Sequence, residues 1–433
     1  MPNTDTSNAS SNSPSYDAVI VGASLAGCTT AMLLGRAGAR VALVEKQPDP
    51  GAFKRVCSHF IQASAVPTLE RLDLLDPIIA AGGVRSGFRI WTRWGWVEPP
   101  PERASYGVNL RREVLDPLLR EATAATPGVE LMLGLGAERL LREDSAVRGV
   151  VVSDRDGEAA ELRAPLTIGA DGRDSRIAEL SEVKTKTLPH ERFAYAAYFE
   201  GASPVNAPAS SLWMLDPQFG AAFPTDNGLT FYVAMLTKDR LPEFKPDPAA
   251  ALVDFIDSLP EAPPIRAGRM VGSVIGKIEM PNRVRAPVAP GLALAGDAAL
   301  VTDPLFGVGC GFALQSGEWL ADSVAPALSG SESLDRGLAR YRRRHSRELR
   351  GHAFLINDYA TGRKFNPAER MLFSAASRDP KVAATFDAFG TRRIKPWRMM
   401  ATAVPRSIAV NARHALHSRA GGRREVGVAS PES

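Results

Sequence analysis

Residues Tyr16–Lys46 read YDAVIVGASLAGCTTAMLLGRAGARVALVEK. Asp17 to Val21 is a short apolar run suited to a buried parallel strand. A turn of small residues follows, Gly22-Ala23-Ser24-Leu25-Ala26-Gly27, and a helical stretch reaches about Ala37. Arg40 to Val44 predicts a second buried strand, closed by Glu45. Strand, glycine turn, helix and strand, with an acid about twenty residues past the first glycine, make up a dinucleotide-binding pattern. Gly22 permits the sharp turn, and Gly27 lets helix and strand approach. The helix N-terminus offers free N–H groups and partial positive charge to a pyrophosphate. Glu45 is suited to accept hydrogen bonds from an adenosine ribose, and its charge disfavours a 2′-phosphate. Ser24 stands where a second glycine is usual.

The rest of the composition narrows the classes. The chain has 433 residues and a net charge of +4. No apolar run is long enough for a transmembrane helix. The opening MPNTDTSNASSNSPS lacks an apolar core and reads as a polar tail rather than a signal peptide. Cys28, Cys57 and Cys310 show no metal-ligand spacing, so no metal is expected, and scattered cysteines suit a reducing cytoplasm. Basic residues concentrate after about Arg340. No nucleic-acid module accompanies them, so no nucleic-acid partner is expected. An anionic membrane surface or an acidic carrier protein fits that charge, as does a solvated helical cap.

Beyond Glu45, Gly51 to His59 reads as a loop and Ala63 to Leu75 as a helix. Lys54 and Arg55 lie close in sequence to the expected phosphate site. Cys57 reads as a buried filler, and His59 as a candidate ligand contact. Gly87 to Val97 predicts two aromatic strands with a turn near Gly95. Arg111 and Arg112 precede a helix whose apolar stripe is Val114, Leu115, Leu118 and Leu119. Strands follow at Val129–Leu133, Arg148–Ser153 and Glu161–Ile168. His190 reads as solvated. Phe193 to Leu236 is strand-rich, with Thr225-Asp226-Asn227-Gly228 as a hairpin turn. Ala249 to Ser258 reads as helix and Arg269 to Met280 as two strands. Gly291 to Asp322 predicts a strand ending at Gly296-Asp297, then a glycine-rich turn opening a helix.

Three stretches, GASLAG with Glu45, GADGRDS at Gly169 to Ser175, and LALAGDAA at Leu292 to Ala299, together resemble the flavin-dependent monooxygenases of the para-hydroxybenzoate hydroxylase type. That superfamily also holds geranylgeranyl reductases and flavin-dependent halogenases. The resemblance covers roughly Tyr16 to Leu349. It implies that Gly22, Ser24, Leu25, Ala26, Gly27, Glu45 and Lys46 hold the ADP half of FAD. It places Asp171 and Gly172 near the pyrophosphate and the nicotinamide donor. Asp297, after Gly296, matches an aspartate that binds the ribityl chain, and Arg112 an arginine that contacts FAD. Pro304, Gly307, Gly309, Cys310 and Gly311 match the loop and helix start beside the flavin ring. Arg55 joins the expected cofactor contacts, and Asp171 is open to pairing with Arg55 or Arg112. Cys57 sits roughly where geranylgeranyl reductases have a cysteine, without the glycines after it. Trp94-Gly95-Trp96 is only an incomplete version of the halogenase tryptophan motif, whereas Asp303-Pro304 is shared with halogenases and reductases.

The expected fold is α/β: a Rossmann-like FAD-binding domain interrupted by a mixed-sheet substrate domain, with C-terminal helices. The boundaries read as a tail at 1–15, FAD-binding parts at 16–185 and 281–340, a substrate domain at 186–280 joined by 86–104, a helical region at 341–420, and a tail at 421–433. The expected function is FAD-dependent oxidation of a small apolar or aromatic substrate. Monooxygenation with NAD(P)H and oxygen leads, hydride transfer of the reductase type is the alternative, and halogenation comes last. NAD(P)H would act as a transient reductant, because only one dinucleotide pattern exists. No protein nucleophile is identified. His59, Trp91, Tyr198, Trp213, Phe223 and Tyr232 are the candidate substrate-pocket residues.

Overall fold

The structure, a computed structural model, describes residues 16–425. Strand β1 (Ala18–Val21) leads through the turn into helix α1 (Leu25–Arg36) and strand β2 (Val41–Glu45). The continuous apolar run of β1 follows from its place in the sheet. Ala18 and Ile20 pack on one face and Val19 and Val21 on the other, so neither face meets water. β1 pairs in parallel with β2 and with Leu166–Gly169. Val129–Leu133 and Leu292–Leu294 extend the sheet outward in parallel, and Val288–Ala289 adds an antiparallel edge. Four of the six strands thus come from the first 170 residues, and two from beyond residue 287.

A second sheet has seven strands: Arg269–Lys277, Arg192–Glu200, Leu229–Thr237, Phe219–Pro224, Ser210–Met214, Phe88–Thr92 and Gly95–Val97. All its pairs are antiparallel except Ser210–Met214 with Phe88–Thr92, so residues near 90 join a sheet built mostly after residue 190. The chain is therefore a mixed α/β protein in which a parallel-sheet domain is interrupted by a mixed sheet.

Side chains alternate across a strand, and here the alternation separates two cores. Phe219, Ala221 and Phe223, with Phe231, Val233 and Met235, point to one face. There they meet the C-terminal helices through Tyr359, Phe365, Phe373 and Phe386. Ala222, Tyr232, Ala234 and Trp213 point to the other face, under the helix Pro248–Asp257.

Several local expectations change. The stretch 63–75 is not one helix: a 3-10 turn and Val66–Arg71 are separated from Leu75–Ala80 by Asp73, whose φ of 59° breaks the helical path. Residues 159–169 form two strands, Ala159–Arg163 and Leu166–Gly169, in different sheets. Arg269–Lys277 is a single strand, made irregular near Gly272, whose φ is 77°. The strand Gly136–Glu143 was not anticipated, because its exposed, charged sequence carries no apolar alternation. The last helix runs Pro396–Glu425, into the segment expected to be a tail. The expected tail at 1–15 and residues 426–433 lie outside the described residues.

Candidate active site

A cleft of about 1040 Å³ runs along the parallel sheet's carboxyl edge. Glu45 stands at one end, the N-terminus of α1 in the middle, and Asp297, Pro304, Gly309 and Cys310 at the other. This is where open parallel sheets bind ligands, because helix N-termini and strand ends converge there.

The local geometry at β1–α1 suits an extended diphosphate. Gly22 has φ of 106°, and a Cβ there would lie 2.5 Å from the Ala170 carbonyl oxygen. A Cβ on Gly27 would meet the Gly22 carbonyl oxygen at 1.9 Å. Both positions therefore exclude larger side chains, for conformational and for steric reasons. Ser24 precedes α1 but makes no side-chain cap bond to it. The first N–H groups of a helix have no intrahelical acceptor; with no cap from Ser24, those of α1 are left for the cleft. The Ser24 hydroxyl is used otherwise, accepting from Arg112 Nη2 at 2.7 Å. A serine at this position thus has a structural role that glycine would not fill. Glu45 accepts from the Ala23 N–H at 3.0 Å and the Gln47 N–H at 3.0 Å.

Arg112 ties these parts together. It lies in the first turn of Arg112–Ala124 and is only 2 % exposed. Its guanidinium contacts Asp116 at 2.6 Å, and its backbone N–H donates to His59 Nδ1 at 3.1 Å. Burial opposes the charge, but Asp116 and the Cys57 sulfur outweigh it and raise the pKa further. Asp116 also accepts from the Lys54 N–H at 3.0 Å, anchoring the loop before Cys57. Lys54 Nζ in turn pairs with Asp297 at 2.9 Å. Burial pushes the Asp297 carboxyl up, but Lys54 beside it more than offsets this and holds it below the usual range.

Cys57 and Cys310 meet at the same end, their sulfurs 3.6 Å apart. Cys57 Sγ also accepts from the His59 N–H at 3.3 Å and from Arg112 Nη1 at 3.8 Å. The Cys310 thiol and the positive charges of Arg112 and Lys54 hold Cys57 well below the ordinary thiol range, against its burial. Cys310 is pushed well above it by the same contact and by burial. Of the two sulfurs, these directions give Cys57 the greater thiolate character.

Of the cofactor contacts expected from the sequence, Gly22, Ser24, Leu25, Ala26, Glu45, Lys46, Arg55, Arg112, Asp171, Gly172, Asp297, Pro304, Gly309 and Cys310 line the cleft. Gly27, Gly296, Gly307 and Gly311 are not among the residues that line it. Asp171 pairs with neither Arg55 nor Arg112; it accepts from the Ser175 hydroxyl at 2.5 Å and the Ile177 N–H at 3.0 Å, fixing the turn. Lys54, expected near the phosphate site, lines the cleft, as do Arg173 and Asp116, the last of which the sequence had not singled out.

A smaller apolar pocket adjoins this end. Phe219, Ala221, Phe223, Phe231, Val233 and Met235 of the seven-stranded sheet form its wall, with Ala194, Ala196 and Ile275. Val56, Cys57, Ser58, Lys277, Met280 and Pro304 line both cavities. Phe223 is the one expected substrate-pocket residue that lines it. Trp91, Trp213 and Tyr232 do not: they pack in the core on the sheet's opposite face. Trp213 Nε1 donates to the Pro260 carbonyl at 2.9 Å, and the Tyr232 hydroxyl donates to the Ala202 carbonyl at 2.6 Å. His59 and Tyr198 sit beside the pocket, joined at 2.5 Å, with His59 stacked edge-on against Phe231. Because the Arg112 N–H donates to Nδ1, the neutral ring carries its proton on Nε2 and donates to Tyr198. Burial lowers the His59 pKa to about 4. His190, expected in solvent, is buried and bonded to Asp303 at 2.5 Å, while Asp303 also accepts from the Leu305 N–H at 2.8 Å. That pair braces the Pro304 turn, and no local sequence signal announces it. Among the described residues no cluster of His, Cys, Asp or Glu is arranged to hold a metal.

The residues present fit FAD. The cleft is long enough to pass from an acid at a strand end, over an uncapped helix N-terminus, to a carboxylate beside a second glycine-rich helix start. The chain belongs to the FAD binding domain family, whose model matches residues 15–353. It is an FAD-dependent oxidoreductase. It is 27% identical to the digeranylgeranylglycerophospholipid reductase of Methanosarcina acetivorans over 354 residues, 78% of this chain and 82% of the relative. Among solved structures, a flavin-dependent brominase matches with a TM-score of 0.74 at 17% identity, covering 93% of this chain and 99% of the other. A geranylgeranyl bacteriochlorophyll reductase-like protein of Thermoplasma acidophilum matches with a TM-score of 0.66 at 18% identity, covering 91% and 98%. A probable FAD-dependent monooxygenase of Pseudomonas aeruginosa matches at 0.64 and 20%, covering 86% and 99%. Likeness at these identities speaks to the fold.

Proposed function

We propose that this protein is a reductase that saturates a carbon–carbon double bond in an apolar, isoprenoid-like substrate. The observation that carries the proposal is the hydrocarbon-walled pocket that shares Cys57, Met280 and Pro304 with the flavin end of the cleft. The relatives named as reductases, which match most of the chain, add to it. They shift the balance from the monooxygenation favoured by sequence motifs to hydride transfer.

Bound FAD, once reduced, supplies a hydride. The chain's residues do the rest. Glu45, the α1 N-terminus, Arg112 and Asp297 hold and orient the cofactor. Phe219, Ala221, Phe223, Phe231 and Val233 seat the apolar part of the substrate and exclude water. The side chains that the seven-stranded sheet gives to that wall are hydrocarbon, which suits an apolar alkene. An exchangeable proton lies between Cys310 Sγ and Cys57 Sγ at the junction of the two cavities. It is the candidate source of the proton that an alkene must gain along with the hydride. NAD(P)H serves as a passing reductant, since the chain has a single dinucleotide pattern.

The test is anaerobic. Enzyme whose flavin has been reduced is mixed with a geranylgeranyl lipid. Flavin reoxidation with a product heavier by two hydrogens is expected. An oxygen-dependent product carrying one added oxygen atom would replace this proposal with monooxygenation.

A further inference from the structure

Two cysteines separated by 253 residues in sequence meet at the point where the cleft and the apolar pocket join. Cys57 lies on the irregular segment between residues 51 and 59, half-buried and lining both cavities. Cys310 lies in the first turn of the helix Gly309–Leu328, 4 % exposed, and lines the cleft. Their sulfurs are 3.6 Å apart. A disulfide bond is about 2.05 Å long, so closure needs a movement of roughly 1.5 Å. The segment bearing Cys57 lies outside helix and strand and is anchored at Lys54, three residues before the cysteine, whereas the Cys310 helix is braced by the Phe312 N–H bonded to the Val308 carbonyl at 2.9 Å. The guanidinium of Arg112, held by Asp116 and Ser24, lies 3.8 Å from Cys57 Sγ. It favours a thiolate there, and the thiolate is the species that attacks a disulfide.

We propose that Cys57 and Cys310 are a redox-active pair, a dithiol that closes to a disulfide by exchange with a low-molecular-weight disulfide, with Cys57 attacking first and Cys310 resolving. In the first step the Cys57 thiolate attacks one sulfur of the small disulfide, whose S–S bond breaks and releases a thiolate. In the second, the Cys310 thiol gives up its proton and attacks the Cys57 sulfur, forming the internal disulfide and releasing a second thiolate. Two protein thiols are oxidised and one disulfide is reduced to two thiols; excess thiol reverses both steps. The oxidised form removes the proton shared between the sulfurs and fixes a covalent bridge beside the wall that the cleft and the apolar pocket share. The inference does not depend on what the substrate is. Cys28 supplies an internal control, because it is fully buried and its pKa is pushed up to about 12 by that burial.

Full-length holoenzyme is equilibrated in buffers of varied glutathione to glutathione disulfide ratio, quenched in acid, alkylated under denaturing conditions, digested and mapped by mass spectrometry. A linked Cys57–Cys310 peptide is expected to rise as the buffer becomes more oxidising and to vanish with dithiothreitol, while Cys28 stays alkylated throughout. In Cys310→Ser, a glutathione adduct at Cys57 should accumulate at least tenfold above any at Cys310 in Cys57→Ser. The wild-type map stands alone if either variant misfolds. Full alkylation of both cysteines in the most oxidising buffer overturns the pair. An adduct that favours Cys310 overturns the assigned order of attack.

Discussion

Replacing Asp297 with Ala should separate cofactor retention from folding. Asp297 lies in the short turn after Leu292–Leu294, with its side chain 18% exposed and its carboxylate facing the cleft. Its protein partner is Lys54 Nζ, on a side chain 48% exposed. Without Asp297 that half-exposed ammonium can turn to water, so little stability is at stake. A cofactor hydroxyl that loses a charged acceptor inside the cleft has no such recourse. A hydrogen bond to a charged group contributes about 1.5–3 kcal/mol. At about 1.4 kcal/mol per tenfold, the dissociation constant for FAD should rise roughly ten- to 150-fold. Asp297→Asn keeps an acceptor without the charge and should fall between wild type and Ala. The assay is titration of FAD into apoprotein, followed by quenching of flavin fluorescence, with circular dichroism to check the fold. A dissociation constant within twofold of wild type for a folded Asp297→Ala protein would show that Asp297 makes no useful contact with the cofactor.

Acid should destabilise the protein through three histidines. His59, His345 and His352 are each lowered from 6.5 to about 4, chiefly by burial. A depressed folded pKa means the unfolded chain binds more protons, so the stability is present above about pH 6.5 and lost as pH falls towards 4. Each site contributes up to about 3 kcal/mol by this linkage, and the urea midpoint should drop steadily between pH 7 and pH 5; a flat profile would contradict neutral burial. Ala221→Phe should fill the apolar pocket and raise the KM for an apolar substrate by about tenfold or more, the loss of roughly 1.4 kcal/mol of binding, with FAD affinity unchanged; loss of both together would indicate a collapsed fold instead. The basic C-terminal helices offer a membrane-facing candidate. Gly351 lies against Pro396, and nearby Phe354 and Trp397 are each 69% exposed among arginines. Vesicles of anionic lipid should sediment with the full-length protein at low salt and release it at high salt, since exposed charges are screened within about 8 Å at physiological ionic strength; binding that ignores salt would argue against this surface.

The sequence by itself determined whatever depends on neighbours along the chain. The β1–α1–β2 unit, its glycine turn and Glu45 are local. The apolar period, the turn residues and the acid at the strand end all lie within 31 residues, and their chemistry needs no distant partner. The hairpin turn at Asp226–Gly228 was equally legible, because Asn227 and Gly228 both take positive φ there. Tertiary structure decided which face of a strand meets the site. Tyr232 and Phe231 are adjacent and both aromatic, yet only Phe231 borders the pocket, because a strand turns successive side chains to opposite faces and nothing in their composition says which face is which. It also decided every pairing across the chain: Lys54 with Asp297, His190 with Asp303, and Cys57 with Cys310. Each joins residues more than 100 positions apart whose isolated side chains carry no mark of a partner. Such contacts arise only when two domains and a loop close around one cleft, and there burial and charge give these side chains the chemistry that their local sequence does not display.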